Sequence, residues 1–476
     1  MTKEYDIIIL GRGAAAFSAA IKASEITSGE ASIAMIGEGP LGGTCVNVGC
    51  VPSKYLLEAS RRIYDPSHPR MPGITPSEVK YDFESVMEGL EGYVTNARNT
   101  KYAGVIKNYR NVTVYEGLAR FVDNRTIEIN NRDNKTKDEI TGQNVLIATG
   151  SRPSIPNIDG LNDSGYMTSD TVWKIRRLPQ RIAVIGGGAI GLEIGQAFLN
   201  LGSEVTVIEA LDSLLPQTEP EIGQILQQRL EGEGMKFHFR TRVISAGVEN
   251  ENKYVDILTH KGRERITVSD ILVATGRAPN SENLNLEKAG VKTDAKGQII
   301  TDRKMMTSSP GIYAAGDCVS KRMFLETLAA REGAVAVSNM FGQNSQIDYE
   351  SSVWAIFTNP QVAGVGMTER EFSLTNKACT CRTFYLSNLT KAGITGETEG
   401  IIKITVNPSD QKIVGMHMIS PNATDIITEG AYAVRNGFTY EDIIATSHIF
   451  PSYSEAVKLT AQSFIRDISK MSCCVE

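Results

Sequence analysis

The sequence predicts an α/β chain that ends in an α+β portion, and three observations carry the prediction. An apolar run, a glycine-rich turn, a small-residue helix and a second apolar run follow one another twice, at residues 5–38 and 181–209. Each set is answered far downstream by an apolar strand closing on Ala-Thr-Gly, at residues 148–150 and 274–276. After residue 345 the pattern changes to alternating strands and two helical stretches. The expected boundaries are 1–150 and 277–345 for a first unit, 151–276 for a second inserted within it, and 346–476 for a third portion.

At 476 residues the chain has room for about two to four domains. Its formal charge of −6 speaks against a polyanion, so no nucleic acid is expected as a partner. No apolar run reaches the length of a membrane span, and the first residues lead straight into a strand with no room for a secretion signal. The expectation is a cytoplasmic protein with no membrane insertion, in a setting that keeps thiols reduced. Seven cysteines there (45, 50, 318, 379, 381, 473 and 474) point to chemistry or metal handling rather than a disulfide framework.

Residues 5–10 read as a buried parallel strand feeding Gly11-Arg12-Gly13-Ala14-Ala15-Ala16, a helix to about residue 28, and a second strand ending near Glu38. Gly11 permits a tight turn, Gly13 lets the backbone approach a pyrophosphate, and Ala16 allows close helix–strand packing. Glu38 stands where a carboxylate accepts hydrogen bonds from an adenosine ribose. The second set repeats the device with Gly186, Gly188, Gly191 and Glu209. Two such Rossmann-like units imply two dinucleotides, most simply a bound flavin and an exchangeable nicotinamide. Glu209 would repel a 2′-phosphate and accept both ribose hydroxyls, and no arginine follows within the next several residues, so NADH or dual use is expected over strict NADPH.

The first unit resumes at residues 311–317, a strand and tight turn ending in Gly316 and Asp317, whose carboxylate can bond a ribityl hydroxyl. An alanine-rich helix over about residues 325–340 should turn its N-terminal dipole toward the flavin. The charged clusters at 131–139 and Glu369-Arg370-Glu371 read as solvated faces.

The most informative stretch is residues 42–54, Gly-Gly-Thr-Cys-Val-Asn-Val-Gly-Cys-Val-Pro-Ser-Lys. Cys45 and Cys50 are five positions apart, a spacing that a local helix distortion at small residues can close. No second ligand pair accompanies them at zinc-site spacing, so a redox dithiol is the better reading. Lys54 lies one helical turn beyond Cys50. Cys379 and Cys381 form a CxC that a strand would turn to one face, but two cysteines are too few for a metal ligand set. Cys318 reads as structural.

These motifs, in this order over essentially the whole chain, together with residues 357–360 (Phe-Thr-Asn-Pro), resemble the flavin-dependent disulfide reductases. The resemblance implies FAD, NADPH or NADH, and a homodimer that shares its active sites through the third, dimerisation portion. It places Cys50 against the flavin and Cys45 toward substrate, and pairs Lys54 with Glu193 beside the flavin. It brings Gly43, Thr44, Thr149 and Gly150 into the cofactor-binding set, with Gly276 and Arg277.

The tail Cys473-Cys474 is similar to that of the family's mercury(II)-reducing members, as is the wording around Cys45. Thiolates are soft and bind soft ions, so two of them on a mobile terminus can capture Hg(II) and pass it on by ligand exchange. The implied metal ligands are Cys45, Cys50, Cys473 and Cys474. Disulfide-reducing members place a histidine before a proline near the C-terminus, with a glutamate downstream. Here the pair is Phe450-Pro451 and Glu455 is retained. Tyr102 and Tyr453 match the tyrosines of the mercury site, although Tyr453 is two residues past the proline; it reads equally as a packing residue. His448 is an alternative base or a structural histidine. The competing readings are a reductase of an organic disulfide such as lipoamide, and a metal-binding or redox-sensing flavoprotein with little turnover.

Overall fold

The computed structural model describes residues 3–131, 137–320, 323–376 and 379–470; Cys473 and Cys474 lie outside the described residues. β1 (Lys3–Leu10) is buried on both faces, with Ile7, Ile8, Ile9 and Leu10 each 0% exposed. It pairs in parallel with β2 (Ile33–Gly37) on one side and with Lys137–Ile147 on the other. Continuous apolar runs of this kind form the centre of parallel sheets covered by helices on both faces. The seven-stranded sheet is completed by Val112–Glu116 at one end, Thr126–Asn130 and Leu118–Phe121 at the other, and Ile312–Ala314 against Lys137–Ile147. That last strand arrives from beyond the second nucleotide unit.

α1 (Ala14–Ile26) packs on the helix Glu326–Met340, and small residues permit the approach. A Cβ at Gly333 would sit 2.2 Å from the Ala15 carbonyl oxygen, so only glycine fits there. The second unit is a five-stranded parallel sheet in the order Lys236–His238, Glu204–Ile208, Arg181–Ile185, Asp270–Val273, Met167–Thr168. An antiparallel meander over residues 242–268 lies beside it. The ribbon of Ser151–Pro153 with Arg277–Pro279 links the two units. Residues beyond 346 form an antiparallel five-stranded sheet, Trp354–Ile356, Gln361–Gly366, Ile413–Ser420, Ile401–Val406, Thr380–Tyr385, with Thr380–Tyr385 on its edge. Among the described residues no helix is long and apolar enough to cross a membrane.

The reading of Glu369-Arg370-Glu371 as a solvated face is corrected. Arg370 is exposed as expected, but Glu369, its side chain 45% exposed, pairs with Lys403, whose side chain is 5% exposed, and Glu371 accepts from the backbone N–H and hydroxyl of Thr368. Residues 137–139 are exposed and open a strand; residues 132–136 lie outside the described residues.

Candidate active site

Cys45 lies in α2 (Gly43–Val48) and Cys50 opens α3 (Cys50–Tyr64). The helices meet at Gly49, whose φ of −115° and ψ of −113° break the helical path. A Cβ there would lie 3.0 Å from the Thr44 carbonyl oxygen and 3.2 Å from the Cys45 Cα, tighter than ordinary contacts. At the other end of α2, Gly42 has φ +95°, and a Cβ would strike Val46 Cγ1 at 2.4 Å. The indole N–H of Trp173, from the second unit, donates to the Val48 carbonyl at 2.8 Å and holds the end of α2. The break brings the thiols of Cys45 and Cys50 into hydrogen-bond contact, both free, with Cys50 exposed. Donation from Cys45, with the Lys54 ammonium in support, lowers the Cys50 thiol to about 7 despite its burial cost. The same contact, then burial, pushes Cys45 up, so Cys45 keeps the proton. Cys50 is the thiolate of the pair.

Lys54 Nζ stands 2.7 Å from Glu193 Oε2, on the helix Ala189–Asn200 of the second unit. Glu193 Oε1 accepts the Phe357 backbone N–H at 2.9 Å, and Lys54 Nζ lies 4.3 Å from the centre of the Phe357 ring. One carboxylate, 7% exposed, thus joins all three portions of the chain at the thiol pair. Tyr102 packs edge-on against Phe17 at 5.0 Å. Burial, with Glu326 and the two cysteines nearby, pushes its hydroxyl up to about 12, so it stays a neutral donor. Glu326, the first residue of its helix, has no motif in the sequence to mark it; only the fold brings its charge to the thiols.

The nucleotide loops fit their expected ligands. α1 begins at Gly13 and the helix Ala189–Asn200 at Gly188, and neither has a side-chain cap, which leaves backbone N–H groups for an anion. Gly43, with φ +63°, lies so close to Gly13 that its Cβ would be 2.6 Å from the Gly13 Cα. Thr149 Oγ1, beside Gly150, is buried without a hydrogen-bond partner, an orphan suited to a bound flavin nucleotide. Asp317, after Gly316, accepts from the Ser151 hydroxyl at 2.9 Å, and Arg277 donates to the same hydroxyl at 2.7 Å. Open space surrounds the Cβ position of Gly188, whereas Gly11, Gly186 and Gly191 are pressed against backbone. Ala16 is fully buried between helix and sheet. Glu38 follows β2 directly, and Gly276 precedes the linking ribbon.

Glu209 accepts from the backbone N–H of Gly187 at 2.7 Å and of Leu211 at 2.8 Å. The fold adds what the local sequence lacks. Arg240, from beyond the next strand, donates its backbone N–H to the Leu211 carbonyl, and its guanidinium lies 3.5 Å from Asp212.

Two expected side chains are engaged elsewhere in the protomer. Tyr453 is 5% exposed in the core of the third portion, its hydroxyl 2.6 Å from Thr395 Oγ1. Within the protomer this position packs, which matches the packing reading of Tyr453. His448, its side chain 5% exposed, has Nε2 2.8 Å from Glu429 and Nδ1 3.0 Å from the Thr446 carbonyl; these two acceptors engage both ring nitrogens, and the Glu429 hydrogen bond raises its pKa. Glu455 is 9% exposed and burial raises its carboxyl. Phe450 and Ile449 are exposed. Cys318 is fully buried and donates to the Ala315 carbonyl.

Two nucleotide-binding sheets meeting at a thiol pair define a flavin-dependent oxidoreductase. The chain belongs to the pyridine nucleotide-disulphide oxidoreductase family, which it matches over residues 5–334, with the family's dimerisation domain over residues 352–461. It is an FAD-dependent enzyme that uses NAD(P)H. It is 38% identical over 474 residues to the mercuric reductase of Staphylococcus aureus, covering 99% of this chain and 84% of that one. With the mercuric reductase of Streptomyces lividans it shares 35% identity over 471 residues, covering 99% of this chain and 98% of that one. The fold matches a HOCl-induced flavoprotein disulfide reductase of Escherichia coli with a TM-score of 0.85 at 23% identity, over 98% of this chain and 100% of that one.

Proposed function

We propose that the protein is a cytoplasmic homodimer that reduces mercury(II) to mercury(0): NAD(P)H and Hg(II) give NAD(P)⁺, H⁺ and Hg(0). FAD, when bound, supplies the two-electron link between the nicotinamide and the thiols. Cys50 offers a thiolate near neutral pH, and Cys45 becomes the second ligand when an incoming Hg(II) displaces its proton to solvent. Lys54, fixed by Glu193, holds positive charge beside Cys50. Tyr102 stands by as a neutral hydroxyl. Cys473 and Cys474 of the partner subunit would capture the ion and pass it to the pair; Hg(0), which thiolates hold poorly, then leaves.

The observation that carries this reading is a thiolate pair with no imidazole to serve it from the C-terminal loop. A disulfide substrate needs a proton for its leaving thiol and a metal ion does not; the residue before Pro451 is Phe450, and His448 is tied to Glu429 and the Thr446 carbonyl. The near full-length likeness to mercuric reductases points the same way. Glu209 disfavours a 2′-phosphate while Arg240 offers it a partner, so both coenzymes are accepted. The test is Hg(II)-dependent NAD(P)H oxidation in excess thiol, beside a Cys473→Ala/Cys474→Ala variant. Turnover that falls in the variant as competing thiol is raised supports the route. Lipoamide turnover without mercury activity overturns it.

A further inference from the structure

We propose that Cys379, Cys381 and Glu369 form a second metal site, for a thiophilic divalent d10 cation of the zinc and cadmium type. One ligand atom from each residue lies within 4.8 Å of the other two. The two Sγ atoms are 3.2 Å apart, where tetrahedral ligands around such an ion stand about 3.5–4 Å from one another. Cys379 immediately precedes the edge strand Thr380–Tyr385 and Cys381 is its second residue, so both thiols reach one side. Glu369 opens the helix Glu369–Asn376 on that side. The third donor stands ten positions from Cys379 in sequence, and helix-to-strand packing delivers it. Ser373 Oγ, 3.3 Å from Cys379 Sγ, offers a fourth oxygen or a hydrogen-bond partner.

Charge is the independent observation. Lys403 Nζ lies 2.7 Å from Glu369, 3.0 Å from Glu219 and 3.0 Å from Glu221, three carboxylates to one ammonium. The Lys403 and Glu219 side chains are 5% and 1% exposed. His417 is the other basic group there, 4.0 Å from Glu219. A half-buried cluster with surplus negative charge gains from a cation. Binding would release two thiol protons to solvent and form two metal–sulfur bonds, with no change of oxidation state. Lys403 would hold the Glu369 carboxylate in place, as groups behind metal ligands do.

The site is separate from Cys45 and Cys50, and its test leaves them out. In the full-length flavoprotein carrying Cys45→Ser, Cys50→Ser, Cys473→Ala and Cys474→Ala, the remaining thiols are Cys318, Cys379 and Cys381. This protein, reduced and desalted, is titrated with Cd(II) while the ultraviolet thiolate-to-cadmium absorption is followed, with flavin content confirming the fold. The expected result is one Cd(II) per chain, lost on adding Cys379→Ser and Cys381→Ser, and weakened about tenfold or more by Glu369→Gln. Absence of the absorption, its survival in the serine variant, or an affinity indifferent to Glu369→Gln overturns the proposal.

Discussion

The molecule carries two described cysteine pairs, and their surroundings differ. Cys45 and Cys50 meet across a helix break, and donation from Cys45, supported by the Lys54 ammonium, lowers the Cys50 thiol to about 7. Cys379 and Cys381 meet at a strand edge against Glu369; burial, then Cys379 and that carboxylate, push the Cys381 thiol up. A thiolate poised near neutral pH is a nucleophile and an electron donor. A thiol held protonated among carboxylates is inert until a cation displaces the proton. In the first pair the partner's donated hydrogen bond, backed by a lysine, lowers one thiol; in the second, burial and the partner, backed by a carboxylate, raise one.

The largest test of this contrast is Cys50→Ser, expected to lower metal-dependent NAD(P)H oxidation about a thousandfold or more. Full activity in that variant would erase the distinction between the pairs. Lys54→Met comes next. The Cys50 pKa is depressed, so the thiolate is present above about 7 and lost as pH falls through that value. Without Lys54 the midpoint for alkylation of the reduced enzyme should move upward. The same change leaves Glu193 buried beside a lost partner, at a cost of about 1–3 kcal/mol in urea unfolding. An unmoved alkylation midpoint would remove the lysine from the account.

Arg240→Leu should shift the NADPH-to-NADH ratio of kcat/KM toward NADH by about tenfold, the worth of roughly one charged contact. An unchanged ratio would return coenzyme choice to Glu209 alone. The smallest effect belongs to Tyr453→Phe, which removes the hydroxyl contact with Thr395. About 1 kcal/mol of stability should go with it and turnover should hold. A large loss of turnover would place Tyr453 at the metal after all.

The fold class was legible because its signals are local and periodic. The runs at 5–10 and 181–185 became central strands, and the glycine turns begin uncapped helices. Lys54 and Glu193 are 139 positions apart, yet they face each other; resemblance, not spacing, linked them. What could not be read from a window was long-range placement. Arg240 reaches the loop after Glu209 only because adjacent parallel strands end together. Glu369 looked solvated because its charged neighbours hid the buried Lys403 across the packing layer. Tyr453 offered no local sign that its hydroxyl would turn inward to Thr395.

The most direct measurement is the mercury vapour released per NADPH consumed by the purified flavoprotein in excess thiol. The account predicts one Hg(0) per NADPH, with turnover rising as pH passes upward through about 7 and abolished in Cys50→Ser. NADPH oxidation that yields no Hg(0), or Hg(0) release that survives Cys50→Ser, would contradict it.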